Sequence, residues 1–74
     1  MNMTLDKLVR ANIILWRKKS KLTQRQVAKK LGVSVHTVSR WETGKAYPSV
    51  MDCETLATVF RIPSTFLFQE WKSL

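Results

Sequence analysis

Residues 23–43 read TQRQVAKKLGVSVHTVSRWET and predict two short helices joined by a tight turn. Thr23 and the glutamine three residues later have the form of a capping box, which starts a helix over 24–31. Ser34 follows after a connection of about three residues and caps a second helix over 35–42. On spacing alone this is a helix-turn-helix, an outline that many purely structural helical pairs share.

The rest of the chain also shows helical spacing of its apolar residues. Apolar residues recur at intervals of three and four over 5–19 and 50–61, and a short apolar segment over 65–71 follows Pro63. Strand signals are poor, because no segment alternates apolar and polar residues for long. We therefore expect an all-α fold, a compact five-helix domain that spans residues 1–74.

Positive charge is concentrated in the middle of the chain. The formal net charge is +8, and residues 17–45 hold nine of the thirteen basic residues beside a single acidic residue, Glu42. Such a concentration is the electrostatic footprint of a surface that binds a polyanion, nucleic acid above all. The alternative is a solvated basic surface that keeps the protein soluble.

Few features of the chain point to catalysis or to a cofactor. There is one histidine, one cysteine, no glycine-rich phosphate loop and no His/Cys set with the spacing of metal ligands. We therefore expect no enzyme activity, no cofactor and no metal site. Cys53 cannot form an internal disulfide, and the longest apolar run, residues 13–16, is too short for a signal peptide or a membrane-spanning helix. We expect a cytoplasmic protein.

The segment Leu22–Lys45 resembles the helix-turn-helix of the lambdoid repressor and Cro proteins, also called XRE-like. The wider resemblance covers Ile13–Phe68 and includes Pro48–Ser49 and Leu56–Ala57 around the fourth helix. It implies a lambda-repressor-like domain that binds double-stranded DNA. The residues at the family's signature spacings are Gln24, Ala28, Gly32, Val38, Glu42 and Gly44.

Several of these positions are expected to hold the motif together. Ala28 lies where the two helices approach closely, so a small side chain is needed, and Val38 fills the core between them. Gly32 takes a left-handed conformation that is costly for other residues. The resemblance further implies that Arg17, at the end of the first helix, pairs with Glu42 and fixes the recognition helix; the alternative is an exposed Glu42.

The resemblance places base contacts on the outward face of the second motif helix, near its N-terminus. Arg40 is the strongest candidate, because a guanidinium can pair with O6 and N7 of guanine; the alternative is a phosphate contact. Val35 offers only an apolar contact, such as one to a thymine methyl group, and His36 could donate to a base or to a phosphate. The candidate base-contacting residues are Ser34, Val35, His36, Thr37, Ser39 and Arg40.

A second set of residues is expected to contact the DNA backbone from both sides of the motif. The start of the first motif helix favours an anion, because its free amides and the helix dipole point there. The end of the second motif helix and the loop after it are expected to grip the strand on the other side. The candidate phosphate-contacting residues are Gln24, Arg25, Lys21, Thr43, Lys45 and Tyr47.

The sequence departs from the family pattern at three positions. Lys21 stands where the family often has glycine, so the turn between the first two helices is expected to differ. Trp16 and Trp41 replace residues that are usually leucine, which implies a bulkier core. We expect both tryptophans to be core residues rather than platforms on which bases stack.

The end of the chain is more apolar than the core of a small domain can absorb. These residues could pack over the first and fourth helices, or they could form the homodimer interface that repressors need to span two half-sites about 34 Å apart. We expect the homodimer, and a further protein partner is another use of the same residues. The cluster consists of Phe66, Leu67, Phe68, Trp71 and Leu74.

The sequence thus predicts a sequence-specific, double-stranded-DNA-binding transcriptional regulator that acts as a repressor. Small proteins of this type also control restriction–modification systems or serve as antitoxins. The alternative from another class is a protein-interaction module that works through its apolar C-terminal helix.

Overall fold

The computed structural model describes residues 4–71, which form four α-helices followed by a 3-10 helix. In chain order these are α1 (Leu5–Lys19), α2 (Gln24–Leu31), α3 (Val35–Thr43), α4 (Val50–Phe60) and the 3-10 helix (Ser64–Phe68). Since these residues contain no strand, the all-α expectation is confirmed for them. The bounds of the four α-helices agree with the sequence prediction to within one residue. Within this part of the chain, no helix has the length and apolar composition needed to cross a membrane.

Each α-helix begins after a hydroxyl residue that caps its first turn. The amide of Gln26 donates to Oγ1 of Thr23 at 3.0 Å, and the amide of Thr23 donates to Oε1 of Gln26 at 2.8 Å. Ser49 and Asp52 make the same reciprocal pair at the start of α4, at 3.0 and 2.9 Å. An N-cap of this kind contributes about 1 kcal/mol. The helix starts are therefore encoded locally in the sequence.

Residues in the left-handed conformation end three of the helical segments. Helices α2 and α3 end at Gly32 and Gly44, with φ of 73° and 79°. The turn after α1 contains Lys21, and α4 ends at Arg61, both with φ of 58°. A side chain in this conformation costs roughly 1–2 kcal/mol. Helix α4 is one residue shorter than predicted, because Arg61 leaves the helical conformation.

The core lies where α1, α2, α3 and α4 meet, and the 3-10 helix closes one side of it. Ala28 is 2% exposed, in keeping with the small side chain expected at the approach of α2 to α3. Trp41 is buried, as expected, whereas Trp16 is only half-buried and packs against the core from outside. The fully buried large side chains are Ile13, Val27, Val38, Leu56 and Leu67.

The predicted helix over 65–71 is wrong in type and length, because the structure has a 3-10 helix over Ser64–Phe68. Its early end coincides with bonds from the side chain of Asn12, whose Nδ2 donates to the carbonyl of Leu67 at 2.8 Å and to that of Gln69 at 2.7 Å. In a continuing α-helix, amides further along the chain would take these carbonyls instead. Asn12 captures them, and Gln69 is extended, with φ of −103° and ψ of 150°.

Two aromatic side chains at the end of the described chain, Phe66 and Trp71, pack on one another and on Trp16 of α1. The ring centroids of Trp16 and Trp71 are 5.3 Å apart, and those of Phe66 and Trp71 are 4.8 Å apart. The indole of Trp71 also donates to the carbonyl of Phe66 at 3.1 Å. Leu67 is fully buried, so much of the apolar cluster expected at an interface is used within the chain. Leu74 lies outside the described residues.

Candidate nucleic-acid interface

Helices α2 and α3 are joined by a turn of three residues, 32–34, and form a helix-turn-helix. The turn is fixed by the amide of Val33, which donates to the carbonyl of Ala28 at 3.0 Å, and by the left-handed Gly32. A Cβ on Gly32 would meet no atom within 4 Å, so glycine is favoured there by conformation and not by space. Val27 of α2 and Val38 of α3 are both buried in the core, so the opposite face of α3 points away from it.

The outward face of α3 carries the side chains that the sequence singled out for base contacts. His36 and Arg40 are exposed and stand four residues apart, so they are neighbours on one helical face. Val35 is half-buried and packs partly against the core, which leaves only part of it for a ligand. The half-buried Thr37 and Ser39 flank these residues, with the exposed Ser34 at the helix start.

Two of these hydroxyl groups are engaged in starting α3. The amide of Thr37 donates to Oγ of Ser34 at 3.2 Å, and the two hydroxyl oxygens lie 3.1 Å apart. A contact of either hydroxyl with DNA would share or replace these bonds. The side chain of Arg40 is less constrained, since the only hydrogen bond it makes within the described residues is a long one, 3.4 Å, from Nη2 to the carbonyl of Lys45.

A buried ion pair holds α3 against α1. Nε of Arg17 donates to Oε2 of Glu42 at 2.6 Å, and Nη2 donates to Oε1 at 3.1 Å. The two side chains are 14% and 7% exposed, and no other ion pair occurs within residues 4–71. The remaining nitrogen, Nη1 of Arg17, donates to the carbonyl of Leu22 at 2.9 Å. The guanidinium therefore bonds both α3 and the segment that leads into α2.

Gln24 is a third member of this network, and nothing in the sequence pattern marked it as one. Its Nε2 donates to Oε1 of Glu42 at 3.0 Å. The side-chain amide has two N–H groups, so one stays available for a phosphate beside α2. The position of Gln24 at the start of a helix, with Glu42 at the end of the next one, is the only signal that could have suggested the bond.

The other candidate phosphate contacts lie around the two ends of the motif. Lys21 and Arg25 are exposed in the turn before α2 and in its first turn. Lys45 and Tyr47 are exposed in the loop after α3, with 61% of Tyr47 accessible. Thr43 differs from these, because its hydroxyl already donates to the carbonyl of Ser39 at 3.0 Å and can offer a phosphate no proton without breaking that bond.

Cys53 plays no part in this surface. It is a free, buried cysteine on α4. Helix α4 belongs neither to the helix-turn-helix nor to the loop that follows it. Burial, followed by the neighbouring carboxylates of Asp52 and Glu54, raises the pKa of its thiol. The thiol is therefore protonated at neutral pH and behaves as a small apolar group.

Comparison with known proteins agrees with this geometry. The family model described as Helix-turn-helix (HTH_3) matches residues 13–67. The solution structure of the SOS-response transcriptional repressor LexA from Eubacterium rectale is similar, with a TM-score of 0.83 and 29% sequence identity over 97% of this chain and 77% of that one. No curated protein matches the chain. Since the family match spans most of the sequence, the chain belongs to the XRE-type helix-turn-helix family of DNA-binding transcription regulators.

Proposed function

We propose that the protein is a sequence-specific transcriptional repressor that reads the major groove of double-stranded DNA with α3. The observation that carries the proposal is the anchoring of α3 through the pair of Arg17 and Glu42, beneath an outward face that holds His36 and Arg40. A helix that reads base edges must present its side chains in a fixed register, and a buried ion pair supplies that constraint.

Base reading falls first to Arg40 in this proposal. Its exposed guanidinium can pair with O6 and N7 of guanine, which gives about 1–3 kcal/mol of discrimination against other bases. His36 lies on the same face, one turn closer to the start of α3, and can donate to a base or to a phosphate. The remaining base-contacting positions that we propose are Ser34, Val35, Thr37 and Ser39.

Backbone contacts orient α3 in the groove without reading sequence. The first turn of α2 offers amides and the second N–H of the Gln24 side chain to one phosphate. The loop after α3 offers Lys45 and Tyr47 to the strand on the other side. The full set of phosphate contacts that we propose is Gln24, Arg25, Lys21, Thr43, Lys45 and Tyr47. Together with the basic segment 17–45, these contacts would make affinity fall steeply with salt.

We further propose that the protein binds as a homodimer, through a different apolar surface from the one expected at first. Large apolar side chains are exposed near the starts of α1 and α4, with Val50 80% and Met51 75% accessible. We call this set the apolar patch; it consists of Leu5, Val50, Met51 and Phe68. The described residues measure 34 × 24 × 19 Å, a size of the same order as the roughly 34 Å that separates half-sites on successive turns of DNA.

The repressor sense is supported by the similar structure, which is that of a transcriptional repressor. We propose a cytoplasmic location, which is consistent with a DNA-binding regulator. The described apolar residues at the C-terminal end are mostly packed on α1, so they favour neither an antitoxin nor a protein-interaction module as a second function.

Selection of bound sequences from random duplex DNA, with the complex sized in parallel, tests the proposal. We expect enrichment of one short two-fold symmetric site, bound by two chains, with an affinity at least about a thousandfold above that for unrelated duplexes. Equal and weak binding to every duplex would refute sequence-specific regulation. A selected site without symmetry, bound by one chain, would refute only the homodimer.

A further inference from the structure

Arg10 lies outside the helix-turn-helix, yet its guanidinium reaches the end of α3. A Cβ built on Gly44 would collide with Nη1 of Arg10 and would lie 3.4 Å from Cζ and 3.6 Å from Cδ. Gly44 ends α3 and directly precedes Lys45, which we propose as a phosphate contact. Helix α1 therefore delivers a cation to the same loop that is expected to grip the DNA backbone.

The Arg10 guanidinium has no anionic partner in the described chain. The ion pair of Arg17 and Glu42 is the only one within residues 4–71, and Arg10 donates no side-chain hydrogen bond to another of these residues. A guanidinium carries five N–H donors. Arg10 is half-buried, so part of its hydration is already lost. An anion that accepts two of these donors at once would form the strong, charge-assisted kind of hydrogen bond.

Arg10 lines a cleft whose chemistry suits a phosphate group. The cleft has a volume of about 130 Å³, so it can hold a group larger than a single water molecule. Thr4 and Tyr47 contribute hydroxyl groups, and Lys7 and Arg10 outweigh the single acidic residue, Asp6, by one positive charge. These donors stand around the backbone of Gly44, beside the end of α3.

We propose that this cleft binds a phosphodiester of the DNA backbone, next to the phosphate contacted from Lys45, with Arg10 as its principal ligand. The inference rests on the proposed DNA binding and extends the contact surface from the helix-turn-helix to α1. It also gives Gly44 a second role, because the absence of a Cβ there leaves the space in which the guanidinium lies.

The test measures affinity for a mixed-sequence duplex of about 20 base pairs, roughly two helical turns, as a function of salt. A specific site is not needed, since non-specific binding is governed by phosphate contacts. Arg10→Met removes the guanidinium and keeps an unbranched apolar stem. Lys30→Met is the matched control, because it removes the same charge from a separate cleft, which Lys19 and Arg61 also line.

The loss of one phosphate contact should lower the magnitude of the salt slope by about 0.9. The factor by which duplex affinity falls between 50 and 200 mM salt should therefore be about three- to fourfold smaller for Arg10→Met than for wild type. For Lys30→Met this factor should change little. Arg10→Lys keeps the charge at the cleft and should restore the wild-type slope. A circular-dichroism spectrum of Arg10→Met that matches wild type shows that the result does not come from misfolding.

The outcomes separate this inference from the function on which it rests. If wild type binds no duplex in a salt-dependent manner, the proposed function fails, and this inference fails with it. If wild type binds and Arg10→Met keeps the wild-type slope, the function stands and the phosphate cleft is refuted. The cleft is also refuted if Lys30→Met lowers the slope as much as Arg10→Met, because general charge then explains both losses. It is likewise refuted if the cleft binds inorganic phosphate but Arg10→Met leaves duplex binding unchanged.

Discussion

Nε of Arg17 donates to Oε2 of Glu42 at 2.6 Å and joins the end of α1 to the last turn of α3 across 25 residues of sequence. The other carboxylate oxygen of Glu42 accepts from Arg17 at 3.1 Å and from Gln24 at 3.0 Å. A carboxylate that is 7% exposed thus binds donors from two different helices. This arrangement fixes the orientation of α3 relative to α1 and α2, on which any base-reading surface depends.

Removing Arg17 should leave the carboxylate of Glu42 without its ion-pair partner. We expect Arg17→Met to lower the free energy of unfolding by roughly 3 kcal/mol, mostly because Glu42 stays buried without its main partner. The double variant Arg17→Met/Glu42→Leu should lose less than the two single variants added together. Urea denaturation followed by tryptophan fluorescence measures all three. Strictly additive losses would show that the two side chains do not act as a pair.

Asn12 should stabilise the fold through its donors rather than its size. Asn12→Leu is close in volume but leaves the buried carbonyl of Leu67 without a partner, and we expect a loss of about 2 kcal/mol in the free energy of unfolding. Asn12→Asp keeps the shape, turns the donor into an acceptor and should lose at least as much. The same urea denaturation reports both. A leucine variant as stable as wild type would mean that the bonds to Leu67 and Gln69 contribute nothing.

The two glycines that end α2 and α3 should tolerate alanine about equally in stability. Both are left-handed, so each alanine costs roughly 1 kcal/mol for conformation. At Gly44 the new Cβ also meets Nη1 of Arg10, but that atom is the end of a flexible side chain that can swing away. Thermal unfolding of Gly32→Ala and Gly44→Ala should therefore agree within about 0.5 kcal/mol, inside the usual range of small effects. A much larger loss for Gly44→Ala would show that Arg10 is held rigidly.

Lys21 is a site where glycine should improve stability. Its φ of 58° costs a side chain roughly 1–2 kcal/mol, while glycine gives back about 0.5–1 kcal/mol through the flexibility of the unfolded chain. Lys21→Gly should therefore raise the free energy of unfolding by about 0.5–1 kcal/mol. Lys18→Gly, within α1, should lower it by a similar amount. Destabilisation by Lys21→Gly would mean that the lysine side chain makes a contact worth more than the strain.

Local signals in the sequence were sufficient to place the α-helices. The cap at Thr23 and the glycine at position 32 act within a few residues, and the structure shows both as predicted. The ion pair of Arg17 and Glu42 spans two helices, and only the family resemblance pointed to it. Local signals and resemblance together were thus sufficient for the motif and its anchor.

Long-range polar contacts could not be predicted in the same way. The bonds from Asn12 cross 55 and 57 residues of sequence and hold the carbonyls at the end of the 3-10 helix. An asparagine within an apolar helical stripe is the only hint of such a role, and it does not name a partner. Likewise, Arg10 reaches Gly44 only because α1 packs on α3, a relationship that helical spacing does not reveal.

The central claim is that α3 reads bases. It is tested most directly by selecting bound duplexes from random DNA with the Arg40→Ala variant and with wild type in parallel. Lys45→Ala is the matched control, since it removes one positive charge from the neighbouring loop. We predict that Arg40→Ala loses the preference for guanine at one position of each half-site, a change of about 1–3 kcal/mol. Lys45→Ala should bind all sequences more weakly with its preferences intact. An unchanged preference in Arg40→Ala would contradict base reading by this residue.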